Sequence, residues 1–328
     1  MPSGHTATFT QGSTLRHLLV LASTSTIGLL ALFIVDLVDM YFLSLLGQAE
    51  LAAAVGFAGT VLFFLTAMAI GLQVGVSALV ARNEGANLRL TAQSYCGSGL
   101  LYSFILTALL SVLLWCYIEE VLSYLGAQGA THTFAVQYAK ILLPSSAFLA
   151  MGMCAAAVLR AIGNAKHSMY ATLGGGIVNA ILDPIFIFTF DWGIEGAAAA
   201  SVVARFAILA IAFHSLIFHH HYLKRKHLRL SSFKINVNAI NKVALPAILT
   251  NFATPLGSSF VLKTMASFGD DAVAASAILG RLLPVAFAGL FSLSGAIGPI
   301  VGQNAGALKY DRVRKTLFNA LLINIVYC

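Results

Sequence analysis

Two parts of this chain, about two hundred residues apart, resemble each other inside strongly apolar sequence. Residues 46–53 read LGQAELAA and residues 268–275 read FGDDAVAA, while residues 80–86 read VARNEGA and residues 301–307 read VGQNAGA. The offsets are 222 residues (268 minus 46) and 221 residues (301 minus 80), so a single deletion aligns both pairs. Such a duplication is typical of transporter folds, in which two repeats move about a site at their interface.

The composition predicts an all-α integral membrane protein. Hydrophobic residues make up 59% of the chain and charged residues 9%, whereas soluble domains carry about a quarter charged residues. A membrane-spanning helix needs about 20 apolar residues. We predict eight such spans at 18–46, 52–81, 95–118, 138–159, 169–190, 197–218, 243–268 and 272–302.

A ninth apolar run begins near Leu317 and reaches the end of the sequence after about a dozen residues, fewer than a span needs. We therefore expect this sequence to be a C-terminally truncated piece of a longer chain, with about eight and a half spans present. A short tail at the membrane interface is the alternative interpretation.

The basic residues predict the orientation, because Lys and Arg are retained on the cytoplasmic side of a membrane. Fifteen of the nineteen Lys and Arg residues precede the first span or follow the second, fourth, sixth and eighth spans. The opposite loops contain acidic residues and neither Lys nor Arg. We expect a multi-pass protein of the cytoplasmic (inner) membrane with a cytoplasmic N-terminus. The net charge of +7 is then explained by contact with anionic lipids, without a nucleic-acid partner.

The longest polar stretch, residues 219–242, predicts a cytoplasmic linker between two lobes. Residues 1–218 then form the N-terminal lobe with spans 1–6, and residues 243–328 form the first part of a C-terminal lobe. Because six spans precede the linker, the two repeats are parallel. The linker is rich in histidine but has no acidic or cysteine partner, so we predict no metal site there. The chain has no phosphate-binding loop, and we expect no cofactor.

Three carboxylates lie within predicted spans, namely Asp36, Asp39 and Asp183. An acid inside a membrane costs roughly 2.5 to 3.5 kcal/mol, so it is a functional candidate by default. Asp39 and Asp183 each lie about 8 residues before the outer end of their span, which is roughly 12 Å below the surface. They share a depth and are predicted to meet. Asp36 lies one turn from Asp39 and is a possible second acid.

Other polar groups are predicted at the same depth. Asn179 precedes Asp183 by four residues and shares its helix face. Ser201 in span 6 lies at a similar level, and Pro184 deprives the Ala180 carbonyl of its helical donor. These oxygen-rich groups suit a small cation or a shared proton. The alternative is a structural role, in which Arg205, Lys263 and Arg281 neutralise the acids.

The residues around these acids resemble those of the multidrug and toxic compound extrusion (MATE) family. The sequence VDMYFLSLLG at 38–47, followed by LAA at 51–53, is similar to the first-helix motif of that family. Residues 179–184 and residues 196–201 look like its fifth-helix motif and the start of its sixth helix. The repeat at 301–307 resembles the end of its eighth helix.

The resemblance implies a fold of twelve spans in two six-helix lobes. It implies a secondary antiporter, not an enzyme, that exports cationic or amphipathic drugs in exchange for Na⁺ or H⁺. It implies small-molecule substrates, membrane lipids as neighbours, and a monomer. The first-lobe ion site that the family implies falls on four matching positions: Asp39, Asn179, Asp183 and Ser201. No metal is expected beyond a sodium ion at that site.

The chain departs from the family pattern in two places. Many members have proline where this chain has Thr24, and some place a coupling glutamate where it has Thr254. Coupling through the first lobe is therefore favoured. The nearest alternative is a lipid or lipid-linked precursor flippase of the same superfamily, for which a basic cleft would argue. A membrane hydrolase is disfavoured, because His214, the nearest histidine within a span, lies far from Asp183.

Overall fold

The computed structural model describes residues 7–223 and 230–327, and in these ranges it is helical with no β-strand. A 3₁₀ turn at Thr8–Thr10 precedes twelve α-helices. In chain order they are α1 (Thr14–Ser44), α2 (Ala49–Gly85), α3 (Arg89–Cys116), α4 (Ile118–Leu125), α5 (Gly129–Leu142), α6 (Ser146–Ala161), α7 (Ala165–Pro184), α8 (Gly193–His214), α9 (Leu230–Ala266), α10 (Asp270–Ala286), α11 (Ala288–Gly306) and α12 (Tyr310–Tyr327).

The length and apolar character of the helices confirm an all-α integral membrane fold. Within the described ranges, seven segments are long and apolar enough to cross a bilayer, and an eighth results if the bent pair α10 and α11 is one span. The pair bends by 55° around Phe287. Pro284 lies just before this bend and withholds a helical hydrogen-bond donor there.

Small residues allow the helices to approach one another closely, as is usual where lipid provides no hydrophobic drive between helices. Gly71 and Gly75 of α2 lie against the α9 backbone at Ile248 and Ala244, where a Cβ atom would collide. The core around α2 includes Phe57, which is fully buried. Helix α2 therefore lies at the centre of the bundle and connects the helices on either side of the predicted linker.

Two predicted boundaries differ from the structure. The predicted span at 138–159 comprises α5 and α6, separated by a 3₁₀ turn at Leu143–Ser145 that contains Pro144. Helix α9 begins at Leu230, so the part of the predicted linker from 230 to 242 is helical. Residues 224–229 of that linker lie outside the described ranges.

The early start of α9 has a physical reason in its polar residues. Asn236 Nδ2 donates hydrogen bonds to Ser94 Oγ at 2.8 Å and Ser98 Oγ at 2.9 Å on α3. Tyr102 of α3 donates to Asn241 Oδ1 at 2.8 Å. These asparagines pack against a neighbouring helix, so their polarity does not indicate a loop.

The two ends of the bundle are named here for the orientation that the sequence predicts. The inner end contains the C-termini of α2 and α11, and the outer end contains Gly126 and Gly269. At the inner end, a Cβ atom on Gly85 would overlap the carbonyl oxygen of Gln303, and one on Gly306 would overlap that of Arg82. These contacts are reciprocal, because each residue of one pair is offset by 221 from its equivalent in the other (306 minus 85 and 303 minus 82).

The ends of α2 and α11 also share a backbone conformation. Asn87 and Leu308 both have φ of 58°, the left-handed conformation common just after a helix. The following amides, of Leu88 and Lys309, each donate to a carbonyl five residues back at 2.8 Å. The two similar sequences at 80–86 and 301–307 thus end in the same way and face each other.

Candidate functional site

Helices α1 and α7 bring the predicted acids together. Gly176 of α7 lies against Ala31 and Val35 of α1, and Gly28 of α1 leaves no room for a Cβ atom beside Thr172. This close approach allows short polar side chains to meet across the helix pair. Asp39 then faces α7 at the level of its Asn179.

The amide of Asn179 lies between two carboxylates. Its Nδ2 atom donates to Asp39 Oδ1 at 3.0 Å and to Asp183 Oδ2 at 2.6 Å. Asp183 is fully buried, and Asp39 and Asn179 are each 5% exposed. One NH₂ group supplies two donors, so both bonds form at once. The depth and helix-face arguments from the sequence thus correspond to a compact cluster of three side chains.

Asp183 retains a free acceptor. Its Oδ1 atom is buried and has no hydrogen-bond partner in the described part of the protein. A buried carboxylate oxygen without a partner is costly, and two adjacent carboxylates that share one neutral amide are more so. The cluster is therefore suited to binding a positive charge, either a proton or a small cation such as Na⁺.

Basic side chains do not neutralise this cluster. Across residues 7–223 and 230–327, the one ion pair within 4.0 Å joins Lys140 and Glu119 at 2.5 Å. Arg281 donates to the backbone carbonyl of Asp36, and Lys263 lies 3.7 Å from the centre of the Tyr124 ring. The ion pairs required by the structural interpretation of the acids are thus not formed by these two residues.

Arg205 has a different role from the one that the structural interpretation assigned to it. Its guanidinium donates to the Leu142 carbonyl at 2.8 Å, to Ser145 Oγ at 2.7 Å and to Ser146 Oγ at 3.2 Å. These groups surround the turn between α5 and α6, where helical hydrogen bonding is interrupted. Arg205 therefore satisfies exposed ends of two half-helices, a role that sequence reasoning missed and that Pro144 could have signalled.

Two of the predicted site residues lie apart from the three-residue cluster. Ser201 on α8 is half-buried, and among the described residues it forms no hydrogen bond to Asp39, Asn179 or Asp183. The Asp36 side chain is exposed on the opposite side of α1 from that cluster's contacts, and only its backbone carbonyl is engaged, by Arg281.

Pro184 marks the change from a regular helix to a wider turn. Helix α7 ends at Pro184, and a π-helical turn follows at Ile185–Thr189. Its first hydrogen bond runs from the Phe190 amide to the Ile185 carbonyl at 3.0 Å. The widening lies directly next to Asp183, where an irregular backbone is tolerated only inside protein or beside water.

The departures from the family pattern have visible structural correlates. Thr24 lies in an unbroken α1, and its hydroxyl donates to the Val20 carbonyl at 2.7 Å. Thr254 is exposed on α9. In the described ranges, no group of three or more His, Cys, Asp or Glu side chains is arranged to hold a metal ion.

Comparison with known proteins identifies the family. A family model described as MatE matches residues 25–185 and 246–328. The chain belongs to the MATE family. It is a multi-pass membrane protein of the MATE transporter type, and the sequence-based prediction of a transporter instead of an enzyme is confirmed at this level.

Individual MATE relatives share about a quarter of their residues with this chain. The FAD transporter of Shewanella oneidensis is 29% identical over 95% of this chain and 70% of its own length. The multidrug export protein MepA of Staphylococcus aureus (strain NCTC 8325 / PS 47) is 24% identical over 86% of this chain and 63% of its own length. A crystal structure of the Vibrio cholerae MATE transporter VcmN, in a mutant form, is 28% identical with a TM-score of 0.85, and the match covers 96% of this chain and 71% of that one.

Proposed function

We propose that this MATE chain belongs to a secondary antiporter that exports cationic or amphipathic compounds in exchange for Na⁺ or H⁺. The observation that carries the proposal is the buried cluster of Asp39, Asn179 and Asp183, which lacks a neutralising base. A membrane protein retains buried acids at a cost, and that cost is recovered when a coupling cation binds. The export activity of MepA supports the substrate class.

Coupling requires that the cation binds one conformation more tightly than the other. Asp39 belongs to α1 and Asp183 to α7, so the separation of their carboxylates depends on how these helices pack. A bound cation draws the two carboxylates together and offsets their repulsion. We propose that this contact favours one access state and that its loss favours the other.

The remaining predictions complete the proposal. We propose an inner-membrane location with the N-terminus in the cytoplasm, on the basis of the basic loops. The lobe boundaries at 1–218, 219–242 and 243–328 and the monomeric state remain proposals. We also propose Ser201 and Asp36 as outer members of the coupling site that approach the ion in another access state.

Ethidium accumulation tests the proposed function. In cells that lack their own drug pumps, expression of the intact transporter is expected to lower ethidium accumulation several-fold. The effect is expected to disappear when an ionophore collapses the gradient of the coupling ion, since no nucleotide site is present in the sequence. Unchanged accumulation, at a verified level of transporter in the membrane, would reject cationic drugs as substrates.

A second candidate substrate class is favoured by Arg281. Its guanidinium has five N–H donors, and in the described structure it binds a backbone carbonyl on α1 and no carboxylate. A guanidinium is well suited to bidentate binding of phosphate or carboxylate. Together with the similarity to a FAD transporter, this favours an anionic amphiphile such as a flavin nucleotide. The lipid-linked precursor of a flippase belongs to the same chemical class.

Substitution of Arg281 separates the two substrate classes. If the substrate is a flavin nucleotide, Arg281→Gln is expected to reduce FAD export by about tenfold or more, because a charge-assisted hydrogen bond contributes roughly 1.5 to 3 kcal/mol. Arg281→Lys is expected to retain part of the activity. Ethidium export by the same variants provides the control. Equal loss of both activities would show that Arg281 acts on the fold instead of on the substrate.

A further inference from the structure

We propose that residues 7–12, here called the N-terminal strap, form a lock that holds the inner ends of the two lobes together. In this proposal, the lock has to be released before the transporter opens at its inner end. The inference rests on the proposed two-lobed transport cycle and adds a specific element to it. It assigns a role in the cycle to Arg312, Gln303 and Asn304, which neither the coupling site nor the substrate proposal uses.

Arg312 of α12 is the principal contact of the strap with the second lobe. Its guanidinium donates to the carbonyls of Gly12 at 2.8 Å, Phe9 at 2.9 Å and Gln11 at 3.1 Å. Its Nε atom donates to Asn304 Oδ1 at 2.8 Å, and Asn304 Nδ2 donates to the Phe9 carbonyl at 3.1 Å. The strap has only one 3₁₀ turn of its own, so these side chains fix its backbone.

The same strap is attached to the first lobe. Gln303 accepts a hydrogen bond from the Phe9 amide at 2.8 Å and donates to the Ala161 carbonyl at the end of α6, also at 2.8 Å. Phe9 is 2% exposed, and Gly163 has no space for a Cβ atom because Thr8 packs against it. The strap therefore lies in the junction between lobes, and Gln303 binds both sides of that junction.

The hydrogen bonds between the lobes are unevenly distributed. At the outer end, Thr131 Oγ1 donates to Asp270 Oδ2 at 2.6 Å, and in the interior Arg281 reaches the Asp36 carbonyl. At the inner end, the strap adds a group of charge-assisted bonds directly over the reciprocal glycine contacts of α2 and α11. Opening at this end requires all of these bonds to break, whereas opening at the outer end does not involve them.

Spin labels at the inner end test the lock without ion or substrate. Labels are attached to cysteines introduced at Lys166 on α7 and Phe318 on α12, both exposed, in an otherwise cysteine-free background. Arg312→Ala is expected to raise the ratio of inner-open to inner-closed molecules about tenfold or more, because it removes hydrogen bonds to a charged group. Arg314→Ala removes an exposed arginine of the same helix and is expected to leave the distances unchanged.

Identical distance distributions for Arg312→Ala and Arg314→Ala would overturn the proposal. This measurement does not depend on the identity of the substrate or ion, so a failed lock is distinguishable from a failed antiport proposal. If Arg312→Ala does not fold, cross-linking takes its place as the test. Lys309 Nζ lies 2.9 Å from the Thr10 carbonyl, so cysteines at these two positions are within reach of a cleavable bifunctional thiol reagent.

Cross-linking the Thr10→Cys and Lys309→Cys pair is expected to hold the inner end closed and to abolish export of ethidium or FAD. Reductive cleavage is expected to restore both opening and export. The matched control is Arg89→Cys with His220→Cys, because Arg89 contacts the His220 carbonyl at 2.9 Å within the first lobe. An inner end that still opens when the strap is cross-linked would overturn the lock.

Discussion

Asp183→Asn is expected to reduce gradient-driven export by about a hundredfold, which corresponds to ~3 kcal/mol of lost ion affinity. The substitution keeps the size of the side chain and removes the charge that attracts the coupling cation. Asn179 donates to Asp183 Oδ2, and an asparagine at 183 can still accept that bond through its carbonyl oxygen. We therefore expect the fold to remain while coupling is lost, measured as export per transporter in proteoliposomes with a defined ion gradient.

Thermal stability distinguishes loss of coupling from loss of structure. The buried Oδ1 atom of Asp183 has no partner among the described residues, so removal of the charge relieves a cost of burial. Asp183→Asn is expected to melt at the same temperature as the wild type or higher. Asp191→Asn is the matched control, because Asp191 is exposed and its φ of 58° is one that asparagine tolerates. Full export by Asp183→Asn would contradict the assigned coupling site.

Gly306→Ala is expected to cost about 2 to 3 kcal/mol of stability in the inner-closed state, because its Cβ atom would overlap the Arg82 carbonyl oxygen. Helix α11 would have to move away from α2, which opens the inner end. Gly85→Ala is expected to act similarly, since its Cβ atom would overlap the Gln303 carbonyl oxygen. The measurements are the melting temperature and the spin-label distance between the inner ends of α7 and α12.

Gly298→Ala is the control for these substitutions. It lies on the same helix as Gly306, and a Cβ atom there has no neighbour within 4 Å in the described structure. Alanine is a better helix former than glycine by up to about 1 kcal/mol, so this variant is expected to be as stable as the wild type or slightly more so. If Gly306→Ala behaves like Gly298→Ala, the inner ends of α2 and α11 do not pack as closely as described.

Depth along a span could be predicted from the sequence, and the three buried polar residues illustrate this. The helical rise places Asp39 and Asp183 at one level, and the four-residue spacing places Asn179 on the face of Asp183. In the structure, Asn179 bonds to both carboxylates. The rotation of α8 about its axis was not predictable from depth alone, which is why Ser201 shares a level with this cluster but not a hydrogen bond.

Contacts between distant segments could not be predicted, because a sequence pattern describes one helix at a time. Arg205 and Arg281 were both considered as partners of acids, but they bind carbonyls or hydroxyls at breaks and helix surfaces. The strap around Phe9 has no periodicity that could indicate burial. Its order comes from Arg312, which is 303 residues further along the chain.

Ion movement during transport tests the central claim most directly. Purified transporter is reconstituted with ion-sensitive dyes for Na⁺ and H⁺ inside the vesicles, and ethidium or FAD is added to drive exchange. The account predicts a counterflow of one of these ions that depends on substrate and is absent in Asp183→Asn. Substrate movement that proceeds at an equal rate with both gradients collapsed, and with no counterflow, would contradict the assignment of Asp39, Asn179 and Asp183 to cation coupling.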